Sequence, residues 1–245
     1  MRAKASHTHP GQLSLPVHLD DGATLANFFV PENGTNAAAL QAVKDDIFQS
    51  VYFWGGIGAG VSHLLQAACQ RASVEGRSAI YLPLKQFLQQ SAEDVLVGLE
   101  SMNLVCLDDL DSVVCDSKWA EQVFHLFNRS ESTGCQLLFG AKVSPTNIET
   151  PLADLRSRLS SLLVHKIKKL SDDESVQALR FRARLRGMEM PSAVAEYLLA
   201  TYSRKSSHQF AALDKLDKAT LAKKRKLTVP FVKTVLEVLE TTNHE

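Results

Sequence analysis

As far as residue 169, two hydrophobic rhythms alternate along the chain. Short, largely apolar runs lie at 51–54, 79–82, 104–107, 136–139 and 162–167, the last interrupted by His165 and Lys166. Each reads as a strand, and the third, Leu104–Leu107 closed by Asp108-Asp109, reads as a strand buried on both faces of a parallel sheet. Between them apolar residues recur every third or fourth position, the period of a helix with one buried face. Helices are predicted at 36–47 (Leu40, Val43, Ile47), after Gly60 (Leu64, Leu65, Ala68, Cys69, Ala72) and near 91–100 (Val95, Leu96, Leu99). Two more are predicted at 117–131 (Trp119, Val123, Leu126, Phe127) and after Pro151 (Leu152, Leu155, Leu159). Regular alternation of strand and helix predicts an α/β fold, a doubly wound parallel five-stranded sheet. Ligands of such sheets lie at the carboxyl ends of the strands.

After Leu170 the strand-like runs stop. Ser171 followed by Glu174 is a capping box, opening a helix over 172–186 that Gly187 ends. Pro191 opens a helix over 191–202, as a first-turn proline does. Helices at 207–222 (Phe210, Leu213, Leu216) and 229–239 (Val232, Val235, Leu236, Leu239) complete a small all-helical module. The basic run 223–226 lies between them and reads as a solvated linker or, alternatively, a phosphate contact.

Composition narrows the class. Formal net charge is zero, which excludes a generally basic nucleic-acid coat. No apolar run approaches the ~20 residues that span a bilayer. Residues 1–11 are polar and lack a signal core, which points to a disordered tail and a cytoplasmic protein. The four cysteines and eight histidines show no metal-ligand spacing. Within the N-terminal tail, Gln12-Leu13-Ser14-Leu15-Pro16 is an island of alternating apolar residues. It reads either as a strand packed on the domain or as a short motif that docks in a partner's pocket.

The candidate chemistry starts at Gly55-Gly56-Ile57-Gly58-Ala59-Gly60-Val61-Ser62, between the first strand and the helix after it. Strand, glycine-rich turn and helix make a phosphate cradle, because loop amides and the helix N-terminus point at one anion. The G-x-x-x-x-G-K-[ST] pattern fits Gly55, Gly60 and Ser62, but Val61 occupies the lysine position. The third strand ends in Asp108-Asp109. These either cap the strand or act on a nucleotide, Asp108 at the metal position and Asp109 where a carboxylate polarises water. Without the lysine, diphosphate binding survives and efficient hydrolysis is not expected. Leu155 and Leu159 face the core, so Arg158 is turned outward and free, either solvated or able to reach a neighbour's phosphate.

Together these residues resemble the AAA+ family, in particular the bacterial initiator DnaA and its shorter Hda relatives. The likeness rests on Gly58–Ala67, on the Asp-Asp strand at 105–109, on 154–159 and on 227–233. It implies a nucleotide-binding αβα domain over 21–169, a helical lid over 170–240, a tail with a clamp-binding motif over 1–20 and a short tail at 241–245. It assigns the nucleotide to Phe29, Val30, Gly56, Gly58, Ala59, Gly60, Val61, Ser62, His63, Asp108 and Asp109. A Mg²⁺ accompanying it would fall to Ser62 and Asp108. Three departures remove contacts to a γ-phosphate: Val61, Gly140 at the sensor 1 position, and Ser207 near sensor 2, with Arg204 and Lys205 as substitutes. The resemblance thus implies a regulator that holds ADP or another nucleoside diphosphate. It would promote hydrolysis of DnaA-bound ATP through Arg158, an arginine finger in trans. Gln12, Leu13, Ser14, Leu15 and Pro16 would bind the sliding clamp (the β subunit of DNA polymerase III), so that DNA is met indirectly. The chain stops soon after the lid, so the initiators' helix-turn-helix domain is not expected. A head-to-tail homodimer is compatible with this family. The competing expectation is an autonomous AAA+ ATPase that remodels or loads a DNA-bound partner.

Overall fold

The computed structural model describes residues 22–45, 49–201, 206–223 and 226–240. The segment 12–16, Ile47, Arg204, Lys205 and residues 224–225 lie outside the described residues.

Five strands form the sheet: β1 (Val51–Trp54), β2 (Ala79–Pro83), β3 (Leu104–Asp108), β4 (Gln136–Ala141) and β5 (Leu163–Lys166). Every neighbouring pair is parallel, in the order β2-β3-β4-β1-β5. The order places β1 between the two latest strands. The loop leaving β1 therefore lies beside the end of β4 and one strand away from the end of β3. Register levels these ends: Trp54 pairs with Ala141 and with Lys166, and Pro83 pairs with Asp108.

Helices cover both faces. On one lie α1 (Ala37–Lys44) and α2 (Val61–Val74); on the other lie α3 (Ala92–Leu96), α4 (Ser117–Thr133) and α5 (Ala153–Ser161). Successive strand residues point to opposite faces. Tyr52, Leu107 and Phe139 join the core under α4 and α5, while Phe53, Cys106 and Leu138 join the core under α2. Burial on both faces explains the unbroken apolar runs of the inner strands. At the edge, β5 departs from that pattern: Leu163 is exposed, and His165 is half-buried.

The helix expected near 91–100 is shorter than its apolar pattern suggested. After Leu96, Val97 is extended and Gly98 turns left-handed (φ 76°); a 3-10 turn, Leu99–Ser101, follows. Leu99 is still buried, so the pattern marked the core correctly while the turn at Val97 and Gly98 interrupts the helix.

Beyond the sheet, α6 (Asp172–Leu185), α7 (Ser192–Thr201), α8 (Ser206–Lys223) and α9 (Val229–Glu240) form a separate core. Leu179, Ala183, Val194, Leu198, Leu213, Leu216 and Val232 meet there. The capping box is realised: the Glu174 N–H donates to Ser171 Oγ at 3.2 Å, and the Ser171 N–H donates to Glu174 Oε2 at 2.8 Å. This module touches the sheet body through the segment before α1. The Phe29 and Phe181 rings are 5.7 Å apart, Arg182 Nε donates to the Asn27 carbonyl at 3.4 Å, and Asn33 Nδ2 donates to Glu174 Oε1 at 3.0 Å.

The glycine loop has two different kinds of glycine. A Cβ on Gly55 would meet the Ile167 carbonyl oxygen at 2.5 Å and Ala59 Cβ at 2.9 Å, whereas Gly56 has open space around it. Gly55→Ala is therefore expected to lower unfolding stability by about 1–3 kcal/mol, the usual cost of overpacking. Gly56→Ala should change it by less than about 0.5 kcal/mol. Equilibrium urea unfolding of the two variants measures the difference, and equal effects would contradict the close-approach account.

Candidate nucleotide site

The loop after β1 owes its shape to glycine. Gly58 (φ 78°) and Gly60 (φ 107°) are left-handed, a region that side chains disfavour. Gly60 is the N-cap of α2, and among the described residues no side chain caps that helix. Its first-turn amides are left facing a cleft, which is the arrangement that holds an anion. The cleft is lined by Gly55–Ser62, His63, Gln66, Lys85, Asp108, Asp109, Ala141 and Lys142. It continues past Gly58–Gly60 into a second hollow between sheet body and helical module, lined by Phe28, Phe29, Asn36, Lys169, Ser175 and Arg182.

Most residues singled out from the sequence come together here. Phe29, Gly56, Gly58, Ala59, Gly60, Val61, Ser62, His63, Asp108 and Asp109 all line one hollow or the other. Val30 does not; it packs against the core beside α1. The lysine position of the loop is filled by the buried Val61, which packs with Leu64, Leu65 and Phe53. Gly140 leaves the sensor 1 position without a side chain. A Cβ there would meet Leu65 Cδ1 at 2.5 Å, Asp108 Oδ1 at 2.6 Å and Val61 Cγ1 at 3.0 Å. Ser207 belongs to α8. In the described part of the helical module, the arginine that reaches the cleft is Arg182 of α6.

The two acids differ sharply. Asp108 is 4% exposed. Its Oδ2 accepts from the Tyr81 hydroxyl at 2.7 Å, its Oδ1 accepts from the Asp109 N–H at 2.9 Å, and Ser62 also hydrogen-bonds the carboxylate. Burial raises its carboxyl above the ordinary value, and these hydrogen bonds oppose the rise. Asp109 sits at φ 53°, where few non-glycine residues are found, at the turn leaving β3. Its carboxylate accepts from Lys142 Nζ at 2.8 Å, and that pairing holds the lysine above its ordinary value.

His63 and Arg182 close the other side. The His63 Nε2–H donates to the Thr24 carbonyl at 3.1 Å, and the ring meets Phe28 edge to face at 5.5 Å. Burial first, and then the Arg182 charge, pull its pKa down to about 4. Burial and the nearby Arg186 bring Arg182 down to about 10, so it stays charged at neutral pH.

Arg158 lies apart from this cleft. Leu155 and Leu159 are fully buried beneath α5 and turn it outward. The sequence suggested a free side chain, but its guanidinium is partnered: Nη1 lies 3.5 Å from Glu131 Oε1, and the group stands 5.7 Å from the centre of the Phe127 ring. Its side chain is nonetheless 45% exposed.

This geometry accords with comparisons to known proteins. The family model described as the bacterial DnaA ATPase domain matches residues 20–166, more than half of the chain. The chain belongs to the DnaA-related AAA+ family. The family model for the Hda lid domain matches residues 172–236. Among solved structures, DnaA from Aquifex aeolicus bound to AMPPCP is 24% identical, with 82% of this chain and 67% of that one covered and a TM-score of 0.65. Domain III of the Thermotoga maritima replication initiation protein DnaA is 20% identical, with 90% and 98% covered and a TM-score of 0.68. As a DnaA-related AAA+ protein with an Hda lid, the chain has support for a role in regulating replication initiation.

Sequence reasoning passed over Lys142 and Arg182 as site residues. Arg182 did carry a signal, because it follows Ala178 by one helical turn on the buried face of α6. Lys142 follows β4 directly, at the strand end where the ligand is expected, and its pairing with Asp109 depends on β4 and β3 being neighbours.

His63 yields a pH prediction. Its folded pKa of about 4 lies below the ordinary 6.5, so the unfolded chain takes up the proton first as pH falls. Stability from neutral His63 is complete above about pH 6.5 and is lost on descending towards about pH 4. In His63→Gln, which keeps an N–H for Thr24 and does not titrate, the acid-side decline should be shallower. Urea midpoints measured across that range for both proteins give the slopes, and parallel slopes would contradict the assignment.

Proposed function

We propose that this chain is a cytoplasmic Hda-type regulator that holds a nucleoside diphosphate, ADP in the simplest case, and acts on the ATP of a DnaA initiator. The observation that carries the reading is the separation of two parts. The phosphate cradle is intact in its backbone and has lost its lysine, while an exposed arginine stands on a rigid helix away from the chain's own cleft. Such a site binds and does not turn over, and its reactive group is offered outward. When bound, the diphosphate would lie against the amides of Gly58–Ser62, with its base towards Phe28 and Phe29. Contact with both sheet body and lid would fix the angle between them.

Arg158 would then enter the initiator's active site and stabilise charge on the transferring phosphoryl group. Arginine fingers of this kind are worth roughly 10³–10⁵ in rate. Its partner Glu131 does not prevent this, because an exposed ion pair contributes only about 0–1 kcal/mol. Gln12–Pro16 would tether the chain to the DNA-loaded sliding clamp, raising its local concentration at the replisome. DNA is met through the clamp, and head-to-tail pairing of two copies is compatible with the outward finger.

Arg158→Ala is expected to abolish stimulation of DnaA-bound ATP hydrolysis, measured with labelled ATP in the presence of clamp-loaded DNA, and to leave clamp binding intact. Stimulation equal to wild type would remove the finger. Replacing Gln12 and Leu13 by alanine should abolish capture on immobilised clamp. The purified chain alone should show no ATP turnover above background. Brisk turnover that Asp109→Asn abolishes would favour the autonomous ATPase instead.

A further inference from the structure

We infer that Tyr81 is a positioning residue of the phosphate cleft, whose hydroxyl holds Asp108 and Ser62 in the orientation that receives the divalent cation accompanying a nucleoside diphosphate. This rests on the nucleotide reading given above and adds to it a residue of β2 that the phosphate-loop pattern does not contain.

The donor set on the cleft wall fits such an ion. Magnesium in nucleotide sites is held by one or two carboxylates, by waters and by phosphate oxygens, and by the hydroxyl that ends the phosphate loop. Ser62 and Asp108 line the same hollow as Gly55–Val61, and they hydrogen-bond each other. The groups hydrogen-bonded to Asp108 are the Tyr81 hydroxyl, the Asp109 N–H and Ser62. All three are neutral, so they hold the carboxylate without cancelling its charge. Asp109 differs, because its charge is already matched by Lys142 at 2.8 Å.

Tyr81 is built to fix both ligands. It pairs in register with Cys106, two residues before Asp108, so the tyrosine and the acid share the face beneath α2. Its ring is buried in the core under that helix, which sets the place of the hydroxyl. From there the hydroxyl reaches Asp108 Oδ2 at 2.7 Å and hydrogen-bonds Ser62 and Gln66 of α2. A phenol has one proton and an ionised carboxylate has none, so the shared proton is the tyrosine's. The Gln66 amide can donate to the phenol oxygen and keep that proton aimed at Asp108. Tyr81 on Oδ2 and the Asp109 N–H on Oδ1 together fix the plane of the carboxylate, since turning it would break a bond at each oxygen. Partners that orient metal ligands in this way are typically worth about 10–100-fold in metal affinity.

Isothermal titration of the full chain with ADP, in Mg²⁺ buffer and in EDTA, gives the metal's share of binding as the ratio of two affinities. Wild type is expected to bind about tenfold or more tightly with Mg²⁺. Tyr81→Phe keeps the buried ring and removes the hydroxyl. It should lose roughly tenfold in Mg²⁺ and less than about twofold in EDTA. Gln66→Leu leaves the phenol without its amide neighbour and should show a smaller loss, again confined to Mg²⁺. Melting curves confirm that both variants fold. Equal wild-type affinity in the two buffers, or a wild-type ratio retained by Tyr81→Phe, would overturn the inference while leaving the nucleotide reading in place. Equal losses in both buffers would do the same, because they mark a merely structural role. Absence of ADP binding by wild type in both buffers would overturn the nucleotide reading, and the inference with it.

Discussion

The close approach of α2 to the centre of the sheet is the constraint on which the site depends. Val61 and Leu65 of α2 and Asp108 of β3 all converge on the face of Gly140, each within 3.0 Å of where its Cβ would be. That space is shared among three side chains because the fourth strand offers none of its own. A bulkier residue at 140 would displace the helix whose N-terminus faces the cleft, or the acid at its far wall. The phosphate cradle and the Asp108 hydrogen-bond network are therefore one packing problem. Val61 belongs to the same solution, since it fills volume at the interface of loop, helix and sheet where a charged side chain could not be buried without a partner.

Much of this was legible in the sequence, and the reasons can be given residue by residue. Unbroken apolar runs marked the inner strands because β1, β3 and β4 are covered on both faces. The glycines at 58 and 60 announced backbone conformations that other residues avoid, and both are left-handed. The capping box at Ser171 and Glu174 fixed the start of the helical module. What the sequence could not convey is distance between residues remote along the chain. Lys142 and Asp109 are separated by the whole of α4 and meet only because β3 and β4 are neighbours. Arg158 and Glu131 likewise lie on different helices, so a residue read as free proved to be held. The segment after Leu96 shows a local failure of a different kind, in which the extended Val97 and the left-handed Gly98 interrupt a helix that the hydrophobic pattern alone would have continued.

On the proposed reading, the fold keeps one function of a phosphate loop and sheds another. Binding depends on backbone amides and a helix terminus, which are properties of the chain's path and survive substitution of side chains. Turnover depends on charged groups aimed at the transferring phosphoryl group, which are properties of single residues. In this chain the path is retained, while Val61 is apolar, Gly140 has no side chain and Asp109 is paired with Lys142.

The contact between Arg158 and Phe127 has a consequence for the thermodynamics of recognition. An arginine standing loose in water must give up roughly 2 kcal/mol of rotamer entropy when a partner fixes it. Here the guanidinium already lies over an aromatic ring whose own position is set by α4 and the sheet. Part of that ordering is complete before any second molecule arrives. A partner engaging Arg158 would thus meet a partly ordered group, and the entropic penalty on this side of the interface is correspondingly smaller.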